Sequence, residues 1–290
     1  DLVIHTIAIS QNNPELLRAR ELEIKILSYP EALGELSRTH FTIAVSGTHG
    51  KTTTTAMLAE VTLAAGLDPT VIVGSLFTPS GVEGLASSGS NFIAGQSDLL
   101  IVEACEYRRS FLNLSPRILV ITNIETDHLD YYRDLADIQD AFAELASKLP
   151  SDGALICDKA DTNLAPVLKM AEKTGCKIID YKKIKTDFKL KIPGAHNIKN
   201  AQAALAVAAE LHLLYHTVLE ALENFAGTWR RFEFKGETKT GAKVYDDYAH
   251  HPTEIRASIE ALRELYPKDS KKITIVFQPH LYSRTKALFD

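Results

Sequence analysis

Residues 45–57 read VSGTHGKTTTTAM and continue the apolar run that begins FTIAV at Phe41. A buried strand, a glycine-bearing turn and a helix, in that order, form the layout of a phosphate loop. The backbone N–H groups of such a turn converge, and the helix N-terminus adds partial positive charge. Lys51 is placed to reach the outer phosphates of a nucleotide, and Thr52 to set its hydroxyl on Mg2+. The usual loop has a glycine where this chain has Val45; here the upstream glycine is Gly47, so the loop is tighter than in most nucleotide hydrolases. A plain glycine turn before a helix would use the same residues. The Gly-Lys-Thr register between strand and helix favours the phosphate site.

The flanking sequence repeats the alternation. Upstream, LVIHTIAI is a β-branched strand, and NNPELLRAR opens a helix with Asn13 as cap and Pro14 at the first helical position. EIKILS and YPEALGELSR follow as strand and helix, and residues 1–40 read as the tail of a domain. Downstream, PTVIVGS, SDLLIVEACEY, PRILVITNIETDH, GALICD and CKIIDY are strands. LADIQDAFAELASKL, a segment from Asp161 and the alanine-rich part of IPGAHNIKNAQAALAVAAELHLL are helices. The Gly- and Ser-rich stretch from Phe77 to Gly95 reads as a loop or hairpin. Such alternation predicts an α/β fold whose mostly parallel sheet carries helices on both faces, here a central domain over residues 41–227. A third unit, 228–290, holds two strands in FEFKGETKTGAKVYDD, a helix from Pro252, a strand KITIVF and a helix in SRTKALF. Both flanking units look incomplete, and the expectation is a piece of a longer protein.

Composition narrows the function classes. The chain has 290 residues, 45% hydrophobic and 24% charged, with net charge −5, which is ordinary for a soluble globular protein. Nothing resembles the basic stripe of a nucleic-acid binder, a membrane span of about 18 apolar residues or a signal peptide. Cys105, Cys157 and Cys176 form no CxxC pair, which fits a reducing cytoplasm and argues against a disulfide framework or zinc cluster.

Open α/β sheets bind ligands at the carboxyl ends of their strands. Two more strand ends carry chemistry. VEACEYRR supplies Glu103 and Glu106, and TNIETDHLD supplies Asn123, Glu125, Asp127, His128 and Asp130. Hard divalent cations want oxygen ligands, and a glutamate and a histidine on adjacent strand ends could supply a second metal position. Each has a plainer reading. His128 could be an ordinary hydrogen-bonded residue, and Glu106, Arg108 and Arg109 a solvated charged turn.

Seven motifs occur in order: GTHGKTTT, EACEYRR, TNIETDH, PGAHNIKNA, RRFE, DDYAHHPTEI and QPHLYSRT. With them nearly the whole chain resembles the ATP-dependent Mur ligases of peptidoglycan synthesis, which use the short GTxGKTT loop. The resemblance implies a P-loop central domain between a Rossmann-like, UDP-binding N-terminal domain and a Rossmann-like C-terminal domain. It implies ATP and Mg2+ as cofactors, UDP-N-acetylmuramate and L-alanine as substrates, a cytoplasmic location, and neither nucleic acid nor membrane as partner. The implied reaction activates the muramyl carboxylate as an acyl phosphate, which the amine then attacks. Alternatives are a ligase that recycles a preformed tripeptide onto the same nucleotide sugar, and an inactive nucleotide-binding fragment. Folate-polyglutamate synthases share the core but fit the motifs less well.

Residue by residue, the resemblance implies that Gly47, Thr48, His49, Gly50, Lys51, Thr52 and Thr53 surround the triphosphate. Thr52 and Glu103 would ligate one Mg2+, and Glu103 and His128 a second; Lys51, Glu103 and His128 would carry the catalysis. Replacing Lys51 with alanine is expected to abolish turnover with the fold intact. Asn197 and Asn200 fall at the adenine, although Asn197 also reads as the cap of the alanine-rich helix. Arg231 would reach the γ-phosphate and Asp247, ahead of Asp246, the ribose, both arriving as a hinge at residues 226–228 closes. Tyr248, His250, His280 and Arg284 fall near the amino-acid pocket, with Arg284 able to pair with the alanine carboxylate. His251 reads as a cap or packing residue for the helix from Pro252. Cys105 is expected to be small and buried beside the metal ligands, and Cys157 and Cys176 to be core. Two positions depart from the family: Leu281, where many relatives have arginine, and Thr6-Ile7, where relatives often have serines.

Overall fold

The structure is a computed structural model that describes residues 1–79, 89–185, 187–268, 270–280 and 282–289. The chain opens with β1 (Leu2–His5), α1 (Pro14–Glu21), β2 (Lys25–Ser28) and α2 (Tyr29–Arg38), and β1 pairs parallel with β2. Asn13 caps α1 as its sequence predicts: Oδ1 accepts from the N–H of Glu15 at 2.9 Å and of Leu16 at 3.3 Å. Ser28 and Glu31 form a reciprocal capping box on α2.

The central unit runs β3 (Phe41–Ser46), α3 (Lys51–Ala64), β4 (Thr70–Phe77), β5 (Ser90–Ile93), β6 (Leu99–Glu103), β7 (Ile118–Ile121), α4 (Leu135–Ala146), β8 (Ala154–Cys157), α5 (Ala165–Thr174), β9 (Lys177–Asp180), α6 (Ala195–Glu210) and α7 (Tyr215–Asn224). Its strands make one sheet in the order β5-β4-β6-β3-β7-β8-β9, parallel throughout except for β5. β3 lies between β6 and β7, so the chain crosses over β3 in passing from one neighbour to the other. That crossing opens a crevice at the carboxyl end of β3, the place where open parallel sheets hold ligands.

The run FTIAVS is apolar on both sides because both sides are covered. Ile43 and Val45 pack with α3, α6 and α7, whereas Ala44 packs with α4 and α5 on the other face. Leu119 and Ile121 of β7 likewise point away from Ile118 and Val120. Burying one such leucine or isoleucine contributes about 1.5–3 kcal/mol. α3 begins with four consecutive β-branched threonines, which are weak helix formers. Burial keeps it helical: Thr52 to Thr55 are all buried, and the Thr55 hydroxyl donates to Lys51 O at 2.9 Å. The alanine-rich α6 packs on α3, where small side chains let the two helices approach.

The last unit has β10 (Glu233–Glu237) antiparallel to β11 (Lys243–Asp246), then α8 (Pro252–Leu265) and α9 (Tyr282–Ala287). KITIVF departs from expectation. It pairs with no strand among the described residues, and Ile275, Val276 and Phe277 are exposed. A strand is a pairing, and β-branched composition alone supplies no partner. α7 is an element that the sequence reading did not mark. Antiparallel β4 and β5 agree with a hairpin, although residues 80–88 of that stretch, and Leu281, lie outside the described residues. Among the described residues no helix is long and apolar enough to cross a membrane.

Candidate active site

The loop between β3 and α3 is braced from β7. Asn123 O accepts from Thr48 N at 3.0 Å, Asn123 Oδ1 accepts from His49 N at 2.9 Å, and Asn123 Nδ2 donates to His49 O at 3.0 Å. Two glycines are required. Gly47 has φ +132°, and a Cβ there would lie 2.1 Å from Thr122 Oγ1; Gly50 has φ +84°, and a Cβ there would lie 2.5 Å from Asn200 Oδ1. Gly50 is also the N-cap of α3 and offers no side chain to the first helical N–H groups, which stay available to an anion.

Lys51 leaves this loop with its ammonium at Glu106, 2.9 Å from Oε2, and also donates to Gly47 O at 2.5 Å and Thr48 O at 3.1 Å. Glu106 is only 3% exposed, so it is not part of a solvated turn. Burial works against the Lys51 charge, but the Glu106 carboxylate outweighs it and holds the lysine above its ordinary pKa. Burial likewise pushes Glu106 up, and Lys51 with His128 pulls it below the usual carboxylate range. His128, at a left-handed φ of 53°, sets Nε2 at 3.6 Å from Glu106 and 3.8 Å from Asp127. Lys51, Glu106 and His128 thus form a row. The sequence signal for Glu106 was weak because a glutamate beside two arginines looks like surface; burial under the neighbouring turn, where the Tyr132 hydroxyl donates to Glu106 O at 2.5 Å, decides otherwise.

Glu103 pairs instead with Thr52, whose hydroxyl donates to Oε1 at 3.0 Å, while Gly74 N donates to Oε2 at 2.6 Å. A Cβ on Gly74 would lie 2.6 Å from Glu103 Oε1, so the carboxylate occupies space that only glycine leaves. A hydroxyl and a carboxylate at adjoining strand and helix ends are hard oxygen donors and fit a divalent cation such as Mg2+. Cys105, expected to be buried here, is exposed; Cys157 and Cys176 are buried in the core. The residue packed on the Glu103 carboxylate is Gly74 instead.

A cavity of about 440 Å3 runs from this loop to the third unit. Asn197, Asn200, Arg231 and Asp247 all line it. Asn197 is not the cap of α6: the N-cap is Gly194, and the Asn197 amide reaches back to Pro193 O at 2.6 Å. Asn200 Nδ2 donates to Asn197 Oδ1 at 3.3 Å. Arg231 Nη2 donates to Thr52 Oγ1 at 3.5 Å, so the third unit already reaches the loop. Asp247 accepts from Ser258 Oγ at 2.6 Å, and burial raises its pKa. Asp246 instead pairs with Arg230 at 3.0 Å, away from the cavity lining.

The four residues expected around an amino acid have different partners. Tyr248, His250 and His280 form an aromatic trio with ring centroids 5.1–6.2 Å apart. Arg284 instead grips Asp127 with two hydrogen bonds of 3.0 and 3.3 Å. Its fork is taken by a protein carboxylate, beside His128, in a small pocket of 110 Å3. His251 caps α8 as the sequence allowed: Nδ1 accepts from Thr253 N at 3.2 Å, and Glu254 completes the capping box. A second, largely apolar cavity of 310 Å3 joins β1 to the β6 end at Glu103 and includes Thr6, Ile7 and Cys105.

A phosphate loop at the crossing point of a parallel sheet, faced by an arginine from a second unit, defines a nucleotide-binding α/β protein of two-unit construction. The comparisons with known proteins narrow the class. The Mur ligase middle domain matches residues 45–186, and the Mur ligase glutamate ligase domain matches 230–290. A UDP-N-acetylmuramate–L-alanine ligase of Clostridium kluyveri is 43% identical over the whole chain, which spans 66% of that relative's length, just short of two thirds. The crystal structure of a UDP-N-acetylmuramate–alanine ligase from Thermotoga maritima superposes with TM-score 0.78 at 31% identity, over 99% of this chain and 69% of that one. A murein peptide ligase from Psychrobacter arcticus follows with TM-score 0.72 at 25% identity, over 92% of this chain and 64% of that one. The chain belongs to the Mur ligase family.

Proposed function

We propose that this chain carries the ATP-dependent step that joins L-alanine to UDP-N-acetylmuramate, in the cytoplasm, with residues 1–40, 41–227 and 228–290 as parts of three domains. The observation that carries this reading is the shared cavity: the Lys51–Thr52 loop from one unit and Arg231 with Asp247 from the other meet around one space of about 440 Å3. ATP fits there, with its phosphates on the amides that open α3 and its base beside Asn197 and Asn200. Mg2+ fits the Thr52–Glu103 donors, where it would offset phosphate charge and so let a carboxylate approach.

The muramyl carboxylate oxygen attacks the γ-phosphorus, the bond to the β-phosphate oxygen breaks, and ADP leaves. The amine nitrogen of L-alanine then attacks the acyl carbon, and after loss of a proton the tetrahedral species expels phosphate. Lys51 and Arg231 supply fixed positive charge where two anions meet, which is the largest contribution a site of this kind makes. Glu106 keeps Lys51 charged and in place. Arg284 is one exchange of partners away from an amino-acid carboxylate, with Asp127 holding its fork until substrate arrives. L-Alanine is favoured over a preformed tripeptide by the higher identity to the L-alanine ligase.

Calorimetry of Mg·ATP on this chain, with Lys51→Ala alongside, tests the first half of the reading. Binding by the wild type that disappears in the variant is the expected result. Phosphate release by the full-length protein, dependent on UDP-N-acetylmuramate and on the added amine, tests the second; release driven by the tripeptide and not by L-alanine would reassign the substrate.

A further inference from the structure

His49 is a loop residue whose side chain serves neither the loop nor the nucleotide amides. Its ring lies between two carboxylates, with Nδ1 3.2 Å from Glu254 Oε1 and Nε2 3.4 Å from Glu125 Oε2. It also leans on the His251 ring at 4.6 Å between centroids. The Nε2 contact is the looser of the two, an ion pair without hydrogen-bond geometry. Glu125 belongs to the turn after β7, and Glu254 is the third residue of α8. The remaining polar contacts run the same way: Thr253 Oγ1 donates to Glu125 Oε2 at 2.7 Å, and His251 Nε2 donates to Thr126 O at 3.2 Å. Glu254 in turn accepts from the N–H of His250 at 3.0 Å and of His251 at 3.3 Å. The start of α8 is thus tied to the phosphate loop and the β7 turn through one histidine.

We propose that His49 is a positioning residue that fastens α8 to the phosphate loop, bridging Glu125 and Glu254 so that Arg231 and Asp247 stay over the cavity. A neutral imidazole has one N–H and can serve one carboxylate, whereas the imidazolium serves both. Burial opposes that charge, but the two carboxylates outweigh it and move the His49 pKa to about 9. Without the cation, Glu125 and Glu254 would face each other across a partly buried joint and drive it open. The backbone of His49, held by Asn123 and by the Thr122 hydroxyl at 2.5 Å, makes the ring a rigid arm of the loop. Any ligand that sets the loop therefore also sets α8.

The inference rests on the reading of the cavity as a nucleotide site, and its test separates the two. His49→Gln keeps one hydrogen bond and removes the charge. Hydrogen exchange of the amides of residues 253–258 and calorimetric affinity for a non-hydrolysable ATP analogue would be measured on this chain and on the variant. Expected are faster exchange at the start of α8, unchanged exchange in α6, and affinity weaker by about tenfold as the binding-competent fraction falls to about one tenth. Adding Glu254→Gln to the same chain removes the second excess carboxylate and should restore part of the affinity. Exchange and affinity equal to wild type in His49→Gln would overturn the clamp, as would exchange rising equally in α6 and α8. A wild-type chain that binds no nucleotide would overturn the nucleotide reading alone, because the exchange comparison needs no ligand.

Discussion

Lys51 is already engaged before any phosphate arrives, and this changes what its removal does. Glu106 is buried and the ammonium largely so, and deleting either leaves the other without its main partner. Breaking such a pair costs about 3–5 kcal/mol. Lys51→Ala is therefore predicted to weaken the fold as well as to end turnover: urea unfolding should show the variant destabilised by about 3 kcal/mol. Lys51→Met combined with Glu106→Gln removes both charges and should recover most of that loss while still failing to turn over ATP. At Gly74 the prediction concerns space. Gly74→Ala drives a methyl against the Glu103 carboxylate, so the Mg2+ concentration needed for half-maximal activity should rise with little change in melting temperature. An unchanged Mg2+ dependence would remove Glu103 from the metal site.

At the scale of elements, α8 is the one whose stability should follow pH. His49 has its pKa raised from 6.5 to about 9, so its contribution is complete below about pH 6.5 and is lost as pH rises through about 9. The close approach of the His49 ring leads the causes that lower Glu125 to about 2, and Glu254 is held lower still, by the His49 hydrogen bond and charge against the opposing effect of burial. Their contributions are complete above about pH 4.5 and fade only in strong acid. The joint should hold from about pH 4.5 to 6.5 at full strength and loosen toward pH 9, read by exchange at α8; an α8 signal flat across that range in a chain whose α6 stays protected would show that the pair does not govern it. α1 offers a simpler case, where Asn13→Ala should cost about 1 kcal/mol.

Elements also show where the sequence was legible. The β3–loop–α3 unit was readable because glycine, lysine and threonine have positional meanings there, and β6, β7 and β8 because doubly buried strands are nearly pure aliphatic. α7 escaped notice because Leu214 at its N-cap offers no capping side chain. Asn197 looked like a cap from its residue type, but the helix starts earlier, at a glycine. Glu106 and His49 were hidden for another reason. Their roles lie in partners 22 to 205 residues away along the chain, and no local pattern encodes that.

At the scale of the molecule, the site belongs to neither unit alone. A ligand that touches Thr52 from one side and Arg231 from the other stabilises both units together. At a concentration of 100 Kd it should add about 2.7 kcal/mol. Calorimetric melting should therefore show the central and third units moving upward as a single transition when nucleotide is present. A shift confined to one of two separate transitions would mean that the cavity is served by that unit alone.

The joint between the units also contains the chain's one tryptophan. Trp229 N donates to Leu76 O at 2.8 Å, Trp229 O accepts from Ser75 Oγ at 2.8 Å, and Arg230 lies over the half-exposed indole at 5.5 Å. The protein therefore carries an intrinsic optical reporter at the joint between its units. Its emission colour and its quenching by iodide follow the solvation of the joint, without labels, on any timescale that a stopped-flow instrument can follow.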